Sequence, residues 1–261
     1  MGLLLRFLVT LTLLTSPSQA AAQTGGLVAA YAFSEGSGTT VADASGNGNS
    51  GVLTNGPLFV AGKNGGGVSL DGVNDFVNLS NPLSLRLTGS MTLSAWIKSS
   101  AFPFDDAAII SKRQSSNTGY QLDTTVDSGP RTIGFKISDA SGNGIARYGA
   151  TALALNTWYH VAGVYNASGR TMTVYLNGQV DNGAQIGTVP AAQSNSNQNV
   201  NLGRRPGVPG TFNFAGVLDD VRIYNRALTQ AEIQSDMATP DRKSTRLNSS
   251  HNVPSRMPSS A

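Results

Sequence analysis

The sequence has few of the residues that build catalytic and metal centres. Its 261 residues include no cysteine, which excludes disulfides and zinc–thiolate sites. Glutamate occurs only as Glu35 and Glu232, and histidine only as His160 and His251. The chain also lacks a P-loop, an HExxH motif and a dinucleotide-binding motif. These absences remove most nucleotide-dependent and zinc-dependent enzyme classes.

Only the amino-terminal end carries a long apolar run. Arg6 precedes the apolar segment 7–14, and Ala20, Ala21 and Ala22 supply a small-residue cleavage site. This pattern predicts a secretory signal peptide over residues 1–22, which is too short to span a membrane. We therefore expect a secreted or extracellular protein, with a periplasmic or cell-surface location left open, and no membrane span.

The carboxyl-terminal end has an unusual composition. Residues 241–261 are basic and rich in serine, and such a segment usually indicates disorder or a nucleic-acid contact. Back-translation of 241–251 and 255–261, however, resembles both halves of a widely used short-read sequencing adapter in one reading frame. We therefore expect 241–261 to be an unstructured tail of non-biological origin and the natural gene to continue.

The net charge depends on these two ends. The whole chain has 18 basic and 15 acidic residues, but the ends contribute five basic residues and one acidic residue. The predicted domain, residues 23–240, therefore has 13 basic and 14 acidic residues. No excess of positive charge remains in it, so nucleic acid is not expected as a partner.

The body of the chain alternates short apolar runs with clusters of Gly, Asn, Ser and Asp. Regular short strands with turn signals are typical of a β-sandwich or β-barrel. Asn177-Gly178 predicts a hairpin turn, and Thr229 with Glu232 forms a capping box that predicts one short helix. The predicted strands are 27–33, 67–70, 76–79, 91–98, 107–112, 120–125, 132–137, 158–165, 171–176, 199–202 and 216–224.

Six sequence blocks make the fold assignment more specific. They are LVAAYAFSEGSGTTVADASGNGNSGVL (27–53), SLDGVNDFVNL (69–79), MTLSAWIKS (91–99), TWYHVAGVYN (157–166), VYLNGQ (174–179) and GVLDDVRIYNRALTQAEI (216–233). In this order they resemble laminin-G-like jelly-roll domains of the concanavalin A-like lectin/glucanase superfamily. The resemblance implies an all-β, antiparallel two-sheet jelly-roll sandwich with one short carboxyl-terminal helix.

The same fold serves several functions, so three hypotheses stay open. The first is a secreted, non-catalytic carbohydrate-binding module that is stabilised by calcium and belongs to a longer protein. Its partner would be a polysaccharide or other glycan. The second is an adhesion module that binds an extracellular protein. The third is a glycan-degrading enzyme.

The carboxylates argue against the enzyme. Some glucanases of this superfamily carry E-x-D-x-x-E on one strand, which supplies a nucleophile and an acid. This chain has no such motif, and the capping box accounts for Glu232. A Ser-His-Asp triad would have to use His160, which lies in an apolar strand and is better explained as a packed histidine.

Adjacent aspartates within the last predicted strand raise the question of charge compensation. Alternation places Val217, Asp219, Val221 and Ile223 on one face, predicted to point inward, and leaves Asp220 on the wetter face. A buried carboxylate needs a partner. The resemblance places the first and last strands together, which implies a calcium site formed by Asp219, Asp43, Glu35, Asn47 and Ser45.

Aromatic and basic residues near loops are candidates for ligand binding. We predict this role for Tyr120, Tyr148, Phe212 and Arg204. Trp96 and Trp158 lie among apolar neighbours, which favours core packing over contact with a sugar. The segments 57–67 and 203–214 are predicted to be exposed loops.

Overall fold

The computed structural model describes residues 25–114, 118–208 and 210–239. The predicted signal peptide and the predicted tail lie outside these residues. Every strand predicted from the sequence is present, and further short strands occur between them. The elements are β1 (Leu27–Tyr31), β2 (Thr40–Val41), β3 (Gly51–Thr54), β4 (Leu58–Ala61), β5 (Gly66–Asp71), β6 (Phe76–Asn78), β7 (Met91–Ala101), β8 (Ala107–Ser111), β9 (Gln121–Thr125), β10 (Thr132–Ser138), β11 (Gly144–Gly149), β12 (Tyr159–Asn166), β13 (Thr171–Leu176), β14 (Gln179–Val180), β15 (Asn182–Ile186), β16 (Asn201–Leu202), β17 (Ala215–Tyr224) and α1 (Gln230–Ala238).

The strands form two antiparallel sheets. Sheet I has the order β14-β13-β12-β7-β17-β5-β4, and β1 also pairs with β17. Sheet II has the order β15-β11-β10-β9-β8-β16-β6-β3-β2. The predicted two-sheet sandwich is thereby confirmed. The segment 57–67, predicted to be a loop, instead contains β4, which pairs with β5 at the edge of sheet I.

The core lies between the two sheets. Alternate residues of sheet I, such as Leu93 and Ile97, and of sheet II, such as Phe135 and Ile137, belong to one buried cluster. Burial of each large apolar side chain contributes about 1.5–3 kcal/mol. Because the inward positions alternate, the residues between them point to the outer face of their sheet.

Helix α1 covers part of the outer face of sheet I. Thr229 caps its first turn by accepting from the Glu232 backbone N–H, and the Glu232 side chain accepts from the Thr229 N–H. Ile233 of the helix packs with Val164 and Tyr224 of the sheet. The capping box predicted from the sequence is confirmed.

A β-bulge in β17 corrects the predicted faces of its two aspartates. Asp219 pairs with Trp96 of β7, but the next paired residue is Arg222, which pairs with Ser94. Asp220, at the bulge, has a positive φ of 43°. The extra residue shifts the alternation. Leu218, rather than Val217 or Asp219, therefore joins Val221 and Ile223 in the core. Both aspartates are buried.

The outer face of sheet II presents a continuous row of polar side chains. The polar residues Asn78, Asn201, Ser111, Gln121 and Lys136 are successive cross-strand neighbours from β6 to β10, and the row ends at the apolar Ala146 of β11. Each is adjacent in sequence to a core residue, which directs it outward. Both clefts described below contain members of this row.

Candidate functional site

A cleft of about 250 Å³ lies over the β10–β11 part of this row. We call it the charged cleft. Its lining includes Asp105, Asp106, Asp127, Lys136, Tyr148, Arg205 and Phe212. Lys136 and Tyr148 come from strands, whereas the aspartates and Phe212 come from neighbouring loops and turns. The sheet therefore provides the floor and the loops provide the walls.

Lys136 is the centre of the charge network. Its Nζ lies 2.6 Å from Asp106 Oδ2, 2.8 Å from Asp127 Oδ2 and 3.2 Å from Asp123 Oδ2. The side chain is only 4% exposed. Burial alone would lower the pKa of the lysine, but the carboxylates of Asp123 and Asp106 outweigh that effect and raise it. The ammonium is therefore held charged.

Arg205 completes the network from the other side. Its guanidinium donates to Asp106 Oδ2 at 2.8 Å and to Gln121 Oε1 at 2.9 Å. The same guanidinium lies 3.7 Å from the centre of the Phe212 ring. Arg205 thus fixes the positions of both a carboxylate and an aromatic ring at the wall of the cleft.

The carboxylates of the cleft are not equivalent. Burial and the neighbouring charge of Asp106 raise the pKa of Asp123 to about 7. Burial also acts to raise the pKa of Asp127, but hydrogen bonds from Lys136 and Tyr148 lower it overall. The Oδ1 atoms of Asp106 and Asp123 are buried and have no hydrogen-bond partner. Asp106 lines the cleft, so its unpartnered oxygen is an acceptor that a ligand in the cleft could use.

Three acidic residues of the cleft have the spacing of metal ligands. Oxygen atoms of Asp105, Asp106 and Asp127 lie within 4.8 Å of one another, the one such group among the residues that the structure describes. The Lys136 ammonium already contacts two of these carboxylates. A lysine therefore supplies the positive charge that a cation would otherwise provide.

A second cleft, of about 270 Å³, lies over β6 and β16. We call it the amide cleft. Its lining includes Phe76, Asn78, Asn199, Asn201 and Arg204. The Arg204 guanidinium lies 5.0 Å from the centre of the Phe76 ring. Arg204 and Arg205, adjacent in sequence, thus serve different clefts.

The predicted ligand-binding residues have three different environments. Tyr148 and Phe212 line the charged cleft, and Arg204 lines the amide cleft. Tyr120 requires a correction, because its ring is fully buried in the core and its hydroxyl donates to the Leu85 carbonyl at 3.0 Å. An aromatic residue at the start of a strand points either to the core or to the surface, and here it points to the core.

Sequence reasoning missed the central residues of the charged cleft. Lys136 lies within the apolar strand TIGFKIS, and a charge in such a strand requires a buried partner. That pattern could have identified Lys136. Its partners Asp106 and Asp127 lie on separate loops, and only the fold brings them together.

The residues predicted to bind calcium are not assembled as one group. Asp43 Oδ1 accepts from the backbone N–H groups of Ala30 and Ser45, and its Oδ2 accepts from that of Asn49. The Ser45 hydroxyl and the Asn47 side-chain amide donate to carbonyls of Val28 and Leu27, respectively. Most of this set therefore attaches the 43–49 loop to β1.

Glu35 and Asp219 have different surroundings. Glu35 Oε1 accepts from the Ala42 N–H, and its Oε2 is buried without a hydrogen-bond partner. Asp219 instead accepts from the backbone N–H groups of Asn64, at 2.8 Å, and Asp220, at 2.6 Å. Burial raises the pKa of Asp219 to about 6. Asp219 is thus compensated by backbone amides and by a shifted pKa, and calcium binding at Glu35 and Asp43 stays a prediction.

The tryptophans differ from the prediction of core packing. Both Trp96 and Trp158 are half-buried. The Lys63 ammonium lies 5.0 Å from the centre of the Trp96 ring, and the His160 ring packs edge-on at 5.4 Å. Both ring nitrogens of His160 are buried without a hydrogen-bond partner. His160 is thus a packed histidine, as the sequence suggested, and it has no hydroxyl partner of a triad.

Comparison with known proteins identifies the family. A family model described as "Concanavalin A-like lectin/glucanases superfamily", with the name Laminin_G_3, matches residues 70–234. No curated protein matches the chain in sequence. None of the helices in the described part of the chain has the length and apolar character needed to cross a membrane.

Several solved structures share the fold. The binding domain of Paraclostridial Mosquitocidal Protein 1 matches with a TM-score of 0.65 and 17% identity, over 81% of this chain and 52% of that one. Domain 4 of AbnA, a GH43 extracellular arabinanase from Geobacillus stearothermophilus solved with arabinotriose, matches with a TM-score of 0.59 and 20% identity, over 81% of this chain and 98% of that one. The botulinum neurotoxin serotype D ligand-binding domain, solved with N-acetylneuraminic acid, matches with a TM-score of 0.60 and 16% identity, over 85% and 52%. The chain thus spans about half the length of these toxin domains.

Proposed function

The chain belongs to the Laminin_G_3 family of the concanavalin A-like lectin/glucanases superfamily, and on this premise we propose that it is a non-catalytic module that binds carbohydrate in the charged cleft. The proposal includes export of the protein, in keeping with the amino-terminal sequence pattern. The ligand is a glycan whose hydroxyl groups reach the floor of the cleft.

The observation that carries this proposal is the buried, unpartnered Oδ1 of Asp106 in a cleft lined by Phe212 and Tyr148. A carboxylate oxygen is an acceptor, so it suits a donating group such as a sugar hydroxyl. Ligand pockets combine aromatic walls with a few fixed polar groups. Lys136 and Arg205 hold Asp106 in place, so little ordering is required on binding.

The chemistry of the carboxylates supports a non-catalytic role. A retaining glycosidase needs a protonated acid and a nucleophile that both reach the glycosidic bond. Asp123 has the raised pKa of an acid, but its side chain is fully buried under the cleft. Asp106 and Asp127 both contact the Lys136 ammonium. Glu232 is bound by its capping box and by Arg226.

Two related folds were solved with saccharides, arabinotriose for the arabinanase domain and N-acetylneuraminic acid for the neurotoxin domain. Both sequence identities are below 25%. The similarity therefore supports a fold that can bind sugars, and it does not indicate which sugar this chain binds. We assign the sugar contact here to residues of the charged cleft.

Calcium is the second part of the proposal. Glu35 Oε2 is buried without a partner, next to a loop whose Asp43 accepts three backbone hydrogen bonds, and hard oxygen donors suit Ca²⁺. The ion would stabilise the 35–49 segment against β1. Asp219 is not included, because its two oxygens accept from the backbone N–H groups of Asn64 and Asp220, which lie outside the 35–49 segment.

A glycan array followed by titration calorimetry tests the function. We expect binding to at least one glycan, weakened roughly tenfold or more by Phe212→Ala and unchanged by Val180→Ala, which removes an exposed apolar group from sheet I. Binding to extracellular proteins but to no glycan would replace this proposal with the adhesion module. Release of reducing sugar would overturn the non-catalytic assignment.

A further inference from the structure

We propose that the amide cleft is a second saccharide subsite, specific for an acidic sugar residue, with Arg204 binding the carboxylate and Asn201 binding a hydroxyl. This inference rests on the proposed carbohydrate-binding function. It assigns a ligand class to a cleft separate from the charged one.

Asn201 is the first element of the subsite. It pairs with Asn78 across β16 and β6, and its side chain points outward because Val200 and Leu202 belong to the core. Asn201 is only 5% exposed, and its Oδ1 has no hydrogen-bond partner. A buried acceptor without a partner is unfavourable, and a hydroxyl group entering the cleft would satisfy it.

Arg204 is the second element. Its guanidinium lies over the Phe76 ring, and its Nε is buried without a hydrogen-bond partner. The ion pairs found in the described part of the chain do not include Arg204, whereas its neighbour Arg205 pairs with Asp106. The cation is positioned by an aromatic ring rather than by an acid, which leaves its charge available to an anion.

The lining of the amide cleft favours an anion more than the charged cleft does. Its polar residues are amides and one arginine, with no aspartate or glutamate among them. In the charged cleft, by contrast, Lys136 and Arg205 are bound to carboxylates. A ligand that carries both a carboxylate and hydroxyl groups matches the amide cleft, and a uronic acid residue has this chemistry.

The two clefts can serve one extended glycan. Asn201 and Lys136 belong to the same cross-strand row, separated by Ser111 and Gln121. Three strand spacings correspond to about 14 Å. A glycan that crosses the strands along this row would contact both clefts, with the Arg204–Arg205 segment between them.

Titration calorimetry with oligogalacturonate and with its neutral methyl ester tests the proposal. We expect the acid to bind at least about tenfold more tightly than the ester at low salt, with the difference reduced at high salt. Arg204→Gln should abolish the difference, and Arg204→Lys should retain part of it. Arg170→Gln, at an exposed turn of sheet I, should leave it unchanged.

A second variant tests the subsite independently, in case Arg204→Gln does not fold. Asn201→Asp keeps the shape of the side chain but places a negative charge in the cleft, so it should weaken binding of the acid more than that of the ester. Equal affinity for acid and ester in the natural protein, or an unchanged preference in Arg204→Gln, overturns the subsite. Binding of neutral glycans alone overturns the subsite but not the proposed function, and binding of no saccharide overturns both.

Discussion

Asp219 Oδ2 accepts a 2.8 Å hydrogen bond from the backbone N–H of Asn64, a residue 155 positions away in the sequence. Asn64 lies in the turn between β4 and β5, and its side-chain Nδ2 also donates to Asp220 Oδ2 at 2.8 Å. Two adjacent buried carboxylates are therefore joined to one residue of a distant turn. This contact fixes the β4–β5 hairpin against the bulge in β17.

Replacement of Asp219 by alanine should destabilise the fold. The change leaves the part-buried Asn64 N–H and the buried Asp220 N–H without their acceptor, and an unsatisfied buried donor costs about 1–3 kcal/mol. The free energy of unfolding, measured by urea denaturation, should fall by that amount. Asp139→Ala is the control, because Asp139 accepts hydrogen bonds from two backbone amides and one side-chain amide within an exposed hairpin loop. A smaller loss for Asp219→Ala than for Asp139→Ala would contradict the assignment.

Asp123 should make stability depend on pH. Burial and Asp106 raise its pKa to about 7, above the ordinary value of about 3.9. The folded protein therefore retains a proton that the unfolded chain has lost, and the stabilisation is full below about pH 4 and lost as pH rises to about 7. Asp123→Asn has no carboxyl group to titrate at this position, so its stability should not show this loss as pH rises.

Melting temperatures of the two proteins between about pH 4 and pH 8 measure this effect. We expect the melting temperature of Asp123→Asn to rise relative to that of the natural protein as pH increases. Taking the difference between the proteins cancels the contributions of groups that do not interact with Asp123. A constant difference across this range is the result that would refute the prediction.

His160 should produce the opposite dependence on pH. Burial lowers its pKa to about 4, with Asp236 of α1 acting against the shift and Arg222 of β17 acting with it. A lowered folded-state pKa contributes stability above about pH 6.5 that is lost as pH falls towards 4. His160→Phe, which keeps an aromatic edge against Trp96, should remove this acid-induced loss.

Thermal denaturation at about pH 8 and about pH 5 tests the histidine. When pH is lowered from about 8 to about 5, we expect the melting temperature to fall further in the natural protein than in His160→Phe. A change in packing caused by the substitution acts equally at both pH values, so it does not affect this comparison. Equal losses in both proteins would mean that folding does not lower the pKa of His160.

Calcium should stabilise the domain through Glu35. For an affinity of about 10⁻⁴ M, typical of extracellular modules, millimolar calcium adds on the order of 1.5 kcal/mol. For a domain of this size the melting temperature should rise by about 3–6 °C. Chelator should reverse the rise, Glu35→Gln should abolish it, and Asp219→Ala should retain it. No rise in melting temperature when millimolar calcium is added to protein refolded without metal excludes the ion.

The sequence predicted several features of the fold because each has a local cause. The Asn177-Gly178 turn requires positive φ at both residues, 50° and 74° in the structure. The Thr229–Glu232 capping box depends on contacts within one turn of helix. The core strands follow from alternation of apolar residues, which one sheet face imposes on every strand. The six sequence blocks extended these local signals to a two-sheet sandwich.

Tertiary structure decided the features that join distant segments. Alternation alone placed Asp219 on the inner face, but the bulge after it shifts the register, and a bulge has no distinct sequence pattern here. Asp106, Asp127 and Lys136 meet only because strand pairing stacks β8, β9 and β10 side by side. The burial of Tyr120 likewise depends on which sheet face the strand turns inward.

The sequence by itself therefore determined most of the core strands, the Asn177-Gly178 turn, the helix and the family, since these depend on neighbouring residues. Tertiary structure alone decided where the charges meet. A carboxylate and its partner can lie far apart in the chain, and their meeting depends on the order and register of the strands, which are set by packing of the whole core.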